Sequence, residues 1–290
     1  MRAQELGGLV CIVTGASKGL GRRIAQSFWI AGANLILVAR SEEDLLKCID
    51  QLPARVEQKV VPVAIDLSER GACARVIHKA RDQFGKLDVL VNNAAVQGPI
   101  GPFIENDLSA WEYTVSLNLL SVVSMCQHAV PLMLEKGGGK IVNISGGGAT
   151  GPRPMFSAYA ASKAAVIRFS ETLAEEMKDK GIYVNCVAPG LLNTSLQEAI
   201  IESGQEKAGQ REFDQALNGK RVGEANMERA SSLCTFLASP VSDQISGKLI
   251  SAVWDPWETL PSHLSDLQQT DVYTLRRIVP IDRALKWGDR

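Results

Sequence analysis

The sequence predicts an α/β fold: a single Rossmann-type, doubly wound parallel sheet of about seven strands with helices on both faces. Three observations predict it. Short β-rich apolar runs alternate with longer helix-periodic segments along most of the 290 residues, the pattern of a parallel sheet covered by helices. A glycine-rich loop follows the first apolar run and opens onto an amphipathic segment. The chain is also long enough to hide about three quarters of its unfolded surface, which favours one large domain over two.

The elements follow in order. VCIVTG (10–15) is the first strand, and the amphipathic stretch after the glycine loop is a helix over 19–31. NLILVA (34–39) leads to a helix over 42–51, and VVPVAID (60–66) to one over 69–84. LDVLVNN (87–93) precedes a long helix over 109–135, and KIVNIS (140–145) precedes a helix over 157–179. YVNCVAP (183–189) and GKLISAV (247–253) complete seven strands. Each helical stretch ends near glycine or a polar turn. Right-handed crossovers place the carboxyl ends of the strands along one crevice, where ligands of such sheets bind. Two segments break the alternation. The polar, helix-prone stretch 193–226 sits just after a strand end and is expected either to fold over a bound ligand as a lid or to be a surface excursion. The tail 254–290 follows the last strand. The organisation is therefore a nucleotide-binding catalytic domain over 1–253 and a C-terminal extension over 254–290, packing on its own domain or on a neighbouring subunit.

Composition removes several function classes. With 46% hydrophobic and 22% charged residues the chain is globular, and a net charge of -1 without long runs of one sign argues against nucleic acid as a partner. Cys11, Cys48, Cys73, Cys126, Cys186 and Cys234 are scattered, with no C-x-x-C pair and only three histidines, so reduced buried thiols are expected and no metal site. The N-terminus lacks the apolar region of a signal peptide, and no apolar run approaches the roughly 18 residues that span a bilayer. A cytoplasmic protein without a membrane partner is the expectation.

The chemistry begins at TGASKGLG (14–21), between a predicted strand and a predicted helix. Glycine permits a tight turn and close approach of a diphosphate, whose charge the free N–H groups at a helix start favour. The spacing T-G-x-x-x-G-x-G resembles that of the short-chain dehydrogenases/reductases, including members similar to 3-oxoacyl-carrier-protein reductases. VNNAA (91–95) resembles the N-N-A-G signature of the family, with Ala95 in place of glycine, and APGLLNT (188–194) its P-G-x-x-x-T segment. The resemblance spans about Leu9 to Val253. It implies a cofactor site at Gly15, Ser17, Lys18, Gly19, Leu20 and Gly21, at Asn93 and Ala94, and at Pro189, Gly190, Leu192 and Thr194. Asp66 and Leu67 resemble the adenine side, although Asp66 is equally suited to capping the next helix. In LVARSEE (37–43), Ala39 stands where NAD-preferring members carry an acid and Arg40 follows it. With Lys18 it offers two cations to a 2′-phosphate, so NADP(H) is the expected cofactor.

SAYAASK (157–163) puts Tyr159 and Lys163 four apart on one helix face. A nearby ammonium lowers the pKa of a phenol, about 10 when free, toward the range of a general acid/base. The resemblance implies that Tyr159 exchanges a proton with the substrate oxygen while the cofactor exchanges hydride with its carbon, that Lys163 also binds the nicotinamide ribose, and that Asn118 holds a relay water. The family's serine stands thirteen residues before the tyrosine. Gly146 occupies that position here; Ser145, one residue earlier and re-aimed by a kink in the glycine run, or Ser157 is the candidate replacement. The implied activity is NADP(H)-dependent interconversion of a carbonyl and a secondary alcohol on a small molecule, by a homodimer or homotetramer. The alternatives are an NAD-dependent alcohol dehydrogenase of the same family and a non-catalytic NADP-binding sensor or partner subunit.

Overall fold

A computed structural model describes residues 5–287. Its strands are β1 (Val10–Thr14), β2 (Asn34–Ala39), β3 (Val60–Ala64), β4 (Val89–Asn92), β5 (Gly139–Ile144), β6 (Ile182–Ala188) and β7 (Leu249–Ser251). They form one parallel sheet in the order β3-β2-β1-β4-β5-β6-β7. The order reverses between β1 and β4, which opens the crevice at their carboxyl ends.

Period-two alternation divides the strand side chains between two cores. Cys11, Val13, Leu35, Leu37, Val142 and Ile144 face one side, against α1 (Gly19–Ile30), α2 (Glu42–Asp50) and α8 (Gln210–Ala238). Val10, Ile12, Ile36, Val38, Ile141 and Val184 face the other, against α3 (Ala72–Phe84), α5 (Ser121–Leu134) and α6 (Ser157–Glu176). Both faces are covered, as a parallel sheet requires.

Three differences from the sequence reading have physical reasons. The helix expected over 109–135 is continuous from Leu108 to Leu134 but changes winding: α4 (Leu108–Val115) passes through one π turn at Ser116–Leu120 into α5. It is long and apolar enough to cross a membrane, yet half of its most apolar stretch is buried in the fold, which accounts for its apolar character. Beyond the crevice, α7 (Ser195–Ala208) is followed by α8, whose second half runs past the expected limit at residue 226. That half carries Met227, Ala230, Leu233, Cys234 and Leu237 into the core beside α1. The last predicted strand, 247–253, pairs only over Leu249–Ser251.

The tail folds back on its own domain. A 3-10 segment (Trp257–His263) and α9 (Leu264–Gln269) bury Trp257, Leu260 and Leu267 in the α1/α8 core. The ring of Trp257 lies 5.5 Å from that of Phe236. Further along, Leu249 N–H donates to the Tyr273 carbonyl at 2.8 Å, and Leu275 N–H donates to Glu171 Oε1 at 2.6 Å.

Candidate active site

A cavity of about 1170 Å³ runs along the carboxyl ends of β1, β2, β4, β5 and β6, larger than the pocket of a typical single drug-sized ligand. At one end the glycine loop is closed by its own packing. Gly15 has φ +63°, and a Cβ there would lie 2.9 Å from Ala94 Cα, while one on Gly21 would collide with the Gly15 carbonyl. Thr14 Oγ1 accepts from Asn93 N–H at 2.9 Å and Ala94 N–H at 3.0 Å, and Asn93 Nδ2 donates to the Thr14 carbonyl at 2.9 Å. Thr14 and Asn93 therefore join the loop to the end of β4; the sequence reading counted Asn93 as a cofactor contact and gave Thr14 no role. Lys18, the N-cap of α1, makes no side-chain cap, so the first-turn amides depend on an outside acceptor.

Gly15, Ser17, Lys18, Gly19, Leu20, Arg40, Asp66, Leu67, Asn93, Ala94, Pro189, Gly190, Leu192 and Thr194 all border this cavity, while Gly21 lies just behind it under the Gly15 carbonyl. Lys18 and Arg40 are exposed at the same end, and among the described residues neither is ion-paired. Asp66 Oδ1 accepts from Ser68 N–H at 2.9 Å and Ser68 Oγ at 2.7 Å, so it caps the following turn while it borders the cavity.

Deeper in, Tyr159 and Lys163 point from α6 into the cavity, with Lys163 Nζ 5.8 Å from the tyrosine ring centre and donating to the Ile144 carbonyl at 2.8 Å. Burial pushes the phenol of Tyr159 above its ordinary value, and the Arg153 guanidinium pulls it down. Burial also lowers Lys163 to about 8. Both shifts share one cause, since burial disfavours the charged form of each group. Asn118 lies in the π turn, fully buried. Its Nδ2 donates to the Val96 carbonyl and its Oδ1 accepts from Val96 N–H, both at 2.9 Å, which clamps the strand exit at residue 96. Single π turns recur at functional positions. Among the described residues, two buried polar atoms bordering the cavity lack hydrogen-bond partners: Ser145 Oγ and Gln97 Nε2. Buried polar groups of this kind find their partners in ligand or water.

The sequence profile of the short chain dehydrogenases matches residues 9–205. The chain belongs to the short-chain dehydrogenase family. It is 32% identical over 249 residues to the 3-oxoacyl-[acyl-carrier-protein] reductase of Thermotoga maritima, covering 85% of this chain and 96% of the relative. To the oxidoreductase UcpA of Escherichia coli it is 32% identical over 267 residues, covering 90% and 98%. Among solved structures, a short-chain dehydrogenase/reductase from Burkholderia xenovorans superposes with TM-score 0.74 at 29% identity over 86% of this chain and 96% of that one. A Shigella flexneri short chain dehydrogenase complexed with NADP shares the fold, with TM-score 0.76 at 23% identity over 87% and 99%. As a short-chain dehydrogenase the chain is an oxidoreductase of a family that uses NAD(P)(H) and acts on small molecules.

Against that family pattern, the departure at Gly146 has a visible cause. A Cβ there would collide with Tyr159 Oη and lie 2.9 Å from Cε1 and Cζ, so the phenol fills the space a side chain would need. Ser145 extends the alternation that turns Ile141 and Asn143 toward α5 and α6, and its N–H still pairs with the Val187 carbonyl at 2.8 Å. The other candidate, Ser157, is occupied by Trp111 Nε1 at 3.2 Å and Asn106 Nδ2 at 3.4 Å and does not border the cavity.

Two residues without a spacing signal complete the wall. Arg153 donates from Nε to Glu212 Oε2 of α8 at 2.9 Å, stacks 4.0 Å from the Phe156 ring, and lies 5.5 Å from the Tyr159 ring. From the tail, Trp254 borders the cavity, whereas Arg276 is bound by Asp271 and Asp282 and stands apart from it with Arg277.

Proposed function

We propose that this short-chain dehydrogenase is an NADP(H)-dependent oxidoreductase that interconverts a carbonyl and a secondary alcohol. The observation that carries the reading is the convergence of the Tyr159 phenol, the Lys163 ammonium and the unpartnered Ser145 hydroxyl in one cavity with the glycine loop of α1. The cradle suits a dinucleotide: Gly15 and Gly19 border the cavity without side chains, Gly21 lets the loop close tightly behind them, and the uncapped start of α1 offers N–H donors. When bound, the nicotinamide supplies or takes the hydride.

The protein supplies the rest. Tyr159 donates the proton to the nascent alkoxide in reduction and removes it in oxidation. Lys163, charged at neutral pH, stabilises the phenolate and has donors left for ribose hydroxyls beyond the bond to Ile144. Ser145 donates to the substrate oxygen, and a relay water is assigned to the π turn at Asn118, where the regular i→i−4 bonding is interrupted. Asp66 and Leu67 flank the adenine end, and the 2′-phosphate falls to Lys18 and Arg40 as free cations. The unit 1–253 carries this chemistry, α7 and the first half of α8 cover the substrate end, and the working assembly is a homodimer or homotetramer in the cytoplasm.

The test is NADPH oxidation with a panel of ketones, acyl thioesters and keto-sugars, with Tyr159→Phe beside the wild type. Loss of turnover in the variant is expected. Arg40→Asp is expected to weaken NADPH binding far more than NADH binding, measured by fluorescence titration; equal losses would refute the assignment of Arg40, and tighter binding of NADH than of NADPH by the wild type would return the reading to an NAD-dependent alcohol dehydrogenase. The glycine at position 146 favours a second reading, a non-catalytic NADP-binding protein, which tight NADPH binding without turnover of any compound would support.

A further inference from the structure

We propose that Arg153 is a positioning residue for Tyr159, a second cation whose charge, metered by Glu212 on α8, sets how readily the phenol yields its proton. The inference rests on the reading of Tyr159 as the acid. Three features carry it. The glycine run at 146–148 leaves the face of the loop bare, so the tyrosine hydroxyl lies over Gly146 and the Arg153 guanidinium over Gly147, its atoms 3.7 Å from where a Cβ would stand. The guanidinium is fixed on two sides, by the Glu212 carboxylate at 2.8 Å and the Phe156 face at 4.0 Å, and the pair is largely buried, with side-chain exposures of 12% and 16%. Its centre is 5.5 Å from the Tyr159 ring, slightly closer than Lys163 Nζ at 5.8 Å.

The remaining surroundings of the phenol carry little charge. Phe156, Ile200, Ala208 and Ala216 pack around it, Ser145, Gln97 and Asn118 are neutral, and Arg211 stands exposed at the cavity rim. Tyr159 is therefore held between two cations, one intrinsic to α6 and one whose effect depends on a carboxylate from another element. This arrangement gives the Gly-Gly-Gly run a purpose beyond turning the chain. Where the family's serine would approach the phenol, this chain brings a guanidinium alongside it. Because Glu212 belongs to α8, displacement of that helix would remove the counter-charge and strengthen the acid.

The test titrates the phenol directly. Absorbance at 295 nm is followed against pH for the full-length wild type, Arg153→Gln, Arg153→Lys and Glu212→Gln, each corrected by the same protein carrying Tyr159→Phe, with far-UV circular dichroism marking the range in which each stays folded. Since a cation within about 6 Å shifts such a group by about 1–3 pH units before its counter-ion offsets part of the effect, Arg153→Gln should move the titration up by about half to one unit and Glu212→Gln down by a similar amount. Arg153→Lys, which keeps the charge, should stay near the wild type. The pH limb of turnover on whichever panel compound reacts should follow the same opposite signs. Unmoved titrations, or shifts of one sign in both neutralising variants, would overturn the proposal and leave a mere latch between loop and helix. Retained turnover in Tyr159→Phe would instead sink the functional reading, while the titration would still decide the role of Arg153.

Discussion

Lys163 is an ammonium taken out of water, and the fold bears the cost. Its value falls from 10.5 to about 8, so the penalty is fully present below pH 8 and disappears as pH rises toward 10.5, where the unfolded chain also loses the proton. At about 1.4 kcal/mol per unit, less about 1 kcal/mol for the lost bond to the Ile144 carbonyl, Lys163→Met should stabilise the fold by about 2–3 kcal/mol at pH 7 while abolishing turnover. Urea melts at pH 7 and pH 10 check this: the gain must shrink at the higher pH, and a variant less stable than the wild type at pH 7 would refute it. Ser145 poses the converse case, a buried hydroxyl with nothing to bond. Ser145→Ala should leave stability unchanged or slightly raised, because no bond is lost. Turnover should fall by roughly 10² to 10³, as expected for losing one oxyanion donor, whereas Ser157→Ala should change kcat only a few-fold. At this scale the sequence was partly legible. Tyr159, Lys163 and the loop glycines were readable because their chemistry imposes a spacing. Arg153, Glu212 and Gln97 were not, because each reaches the cavity from a loop or helix whose placement only the tertiary packing fixes.

The helices show the same division. Period-3.6 patterning revealed α1, α2, α3 and α6 because each buries one stripe, but α8 changes character along its length. Its first half is polar over the cavity and its second half is core, so the segment read as a lid or an excursion ending at residue 226. What holds the polar half down is close packing by two glycines: a Cβ on Gly219 would lie 3.3 Å from the Leu192 carbonyl oxygen, and one on Gly223 would collide with Asn193 N and lie 2.8 Å from Leu192 C. Asn226 Nδ2 then donates to the Leu191 carbonyl at 2.7 Å. Gly223→Ala must push the helix off the 191–194 segment. Overpacking of this kind costs about 1–3 kcal/mol, and the variant should melt earlier and bind NADPH more weakly, since Leu192 and Thr194 border the cofactor end. Gly204→Ala has nothing near its Cβ but a left-handed φ of +79°, so it too should melt earlier, yet it should bind NADPH as the wild type does. Equal affinities for all three proteins would refute the coupling. The π turn at Asn118 had no compositional signature, and the clamp that Asn118 makes there on Val96 is a contact 22 residues away in sequence.

For the whole molecule, the parallel doubly wound sheet followed from alternation and handedness, while the path of the tail did not, because its few aromatics suited a neighbour or its own domain equally well. Trp257 is the anchor that decides it. Trp257→Ala should cost about 3–5 kcal/mol, the range for removing a large buried aromatic, with NADPH affinity nearly unchanged. A loss below about 1 kcal/mol in urea melts would mean that the tail is not seated there. The return of the tail at Tyr273 also bears on how copies of this chain meet. Tyr273 accepts from Leu249 N–H and so occupies a bonding position that the edge strand β7 would otherwise present to a stranger. At the opposite edge, β3 contains Pro62, which has no N–H to offer. Both borders of the sheet are thus poor templates for strand addition. Copies that associate are therefore expected to meet through helix faces and tails, and a chain cut before residue 254 should lose that protection and tend to precipitate by joining sheet to sheet.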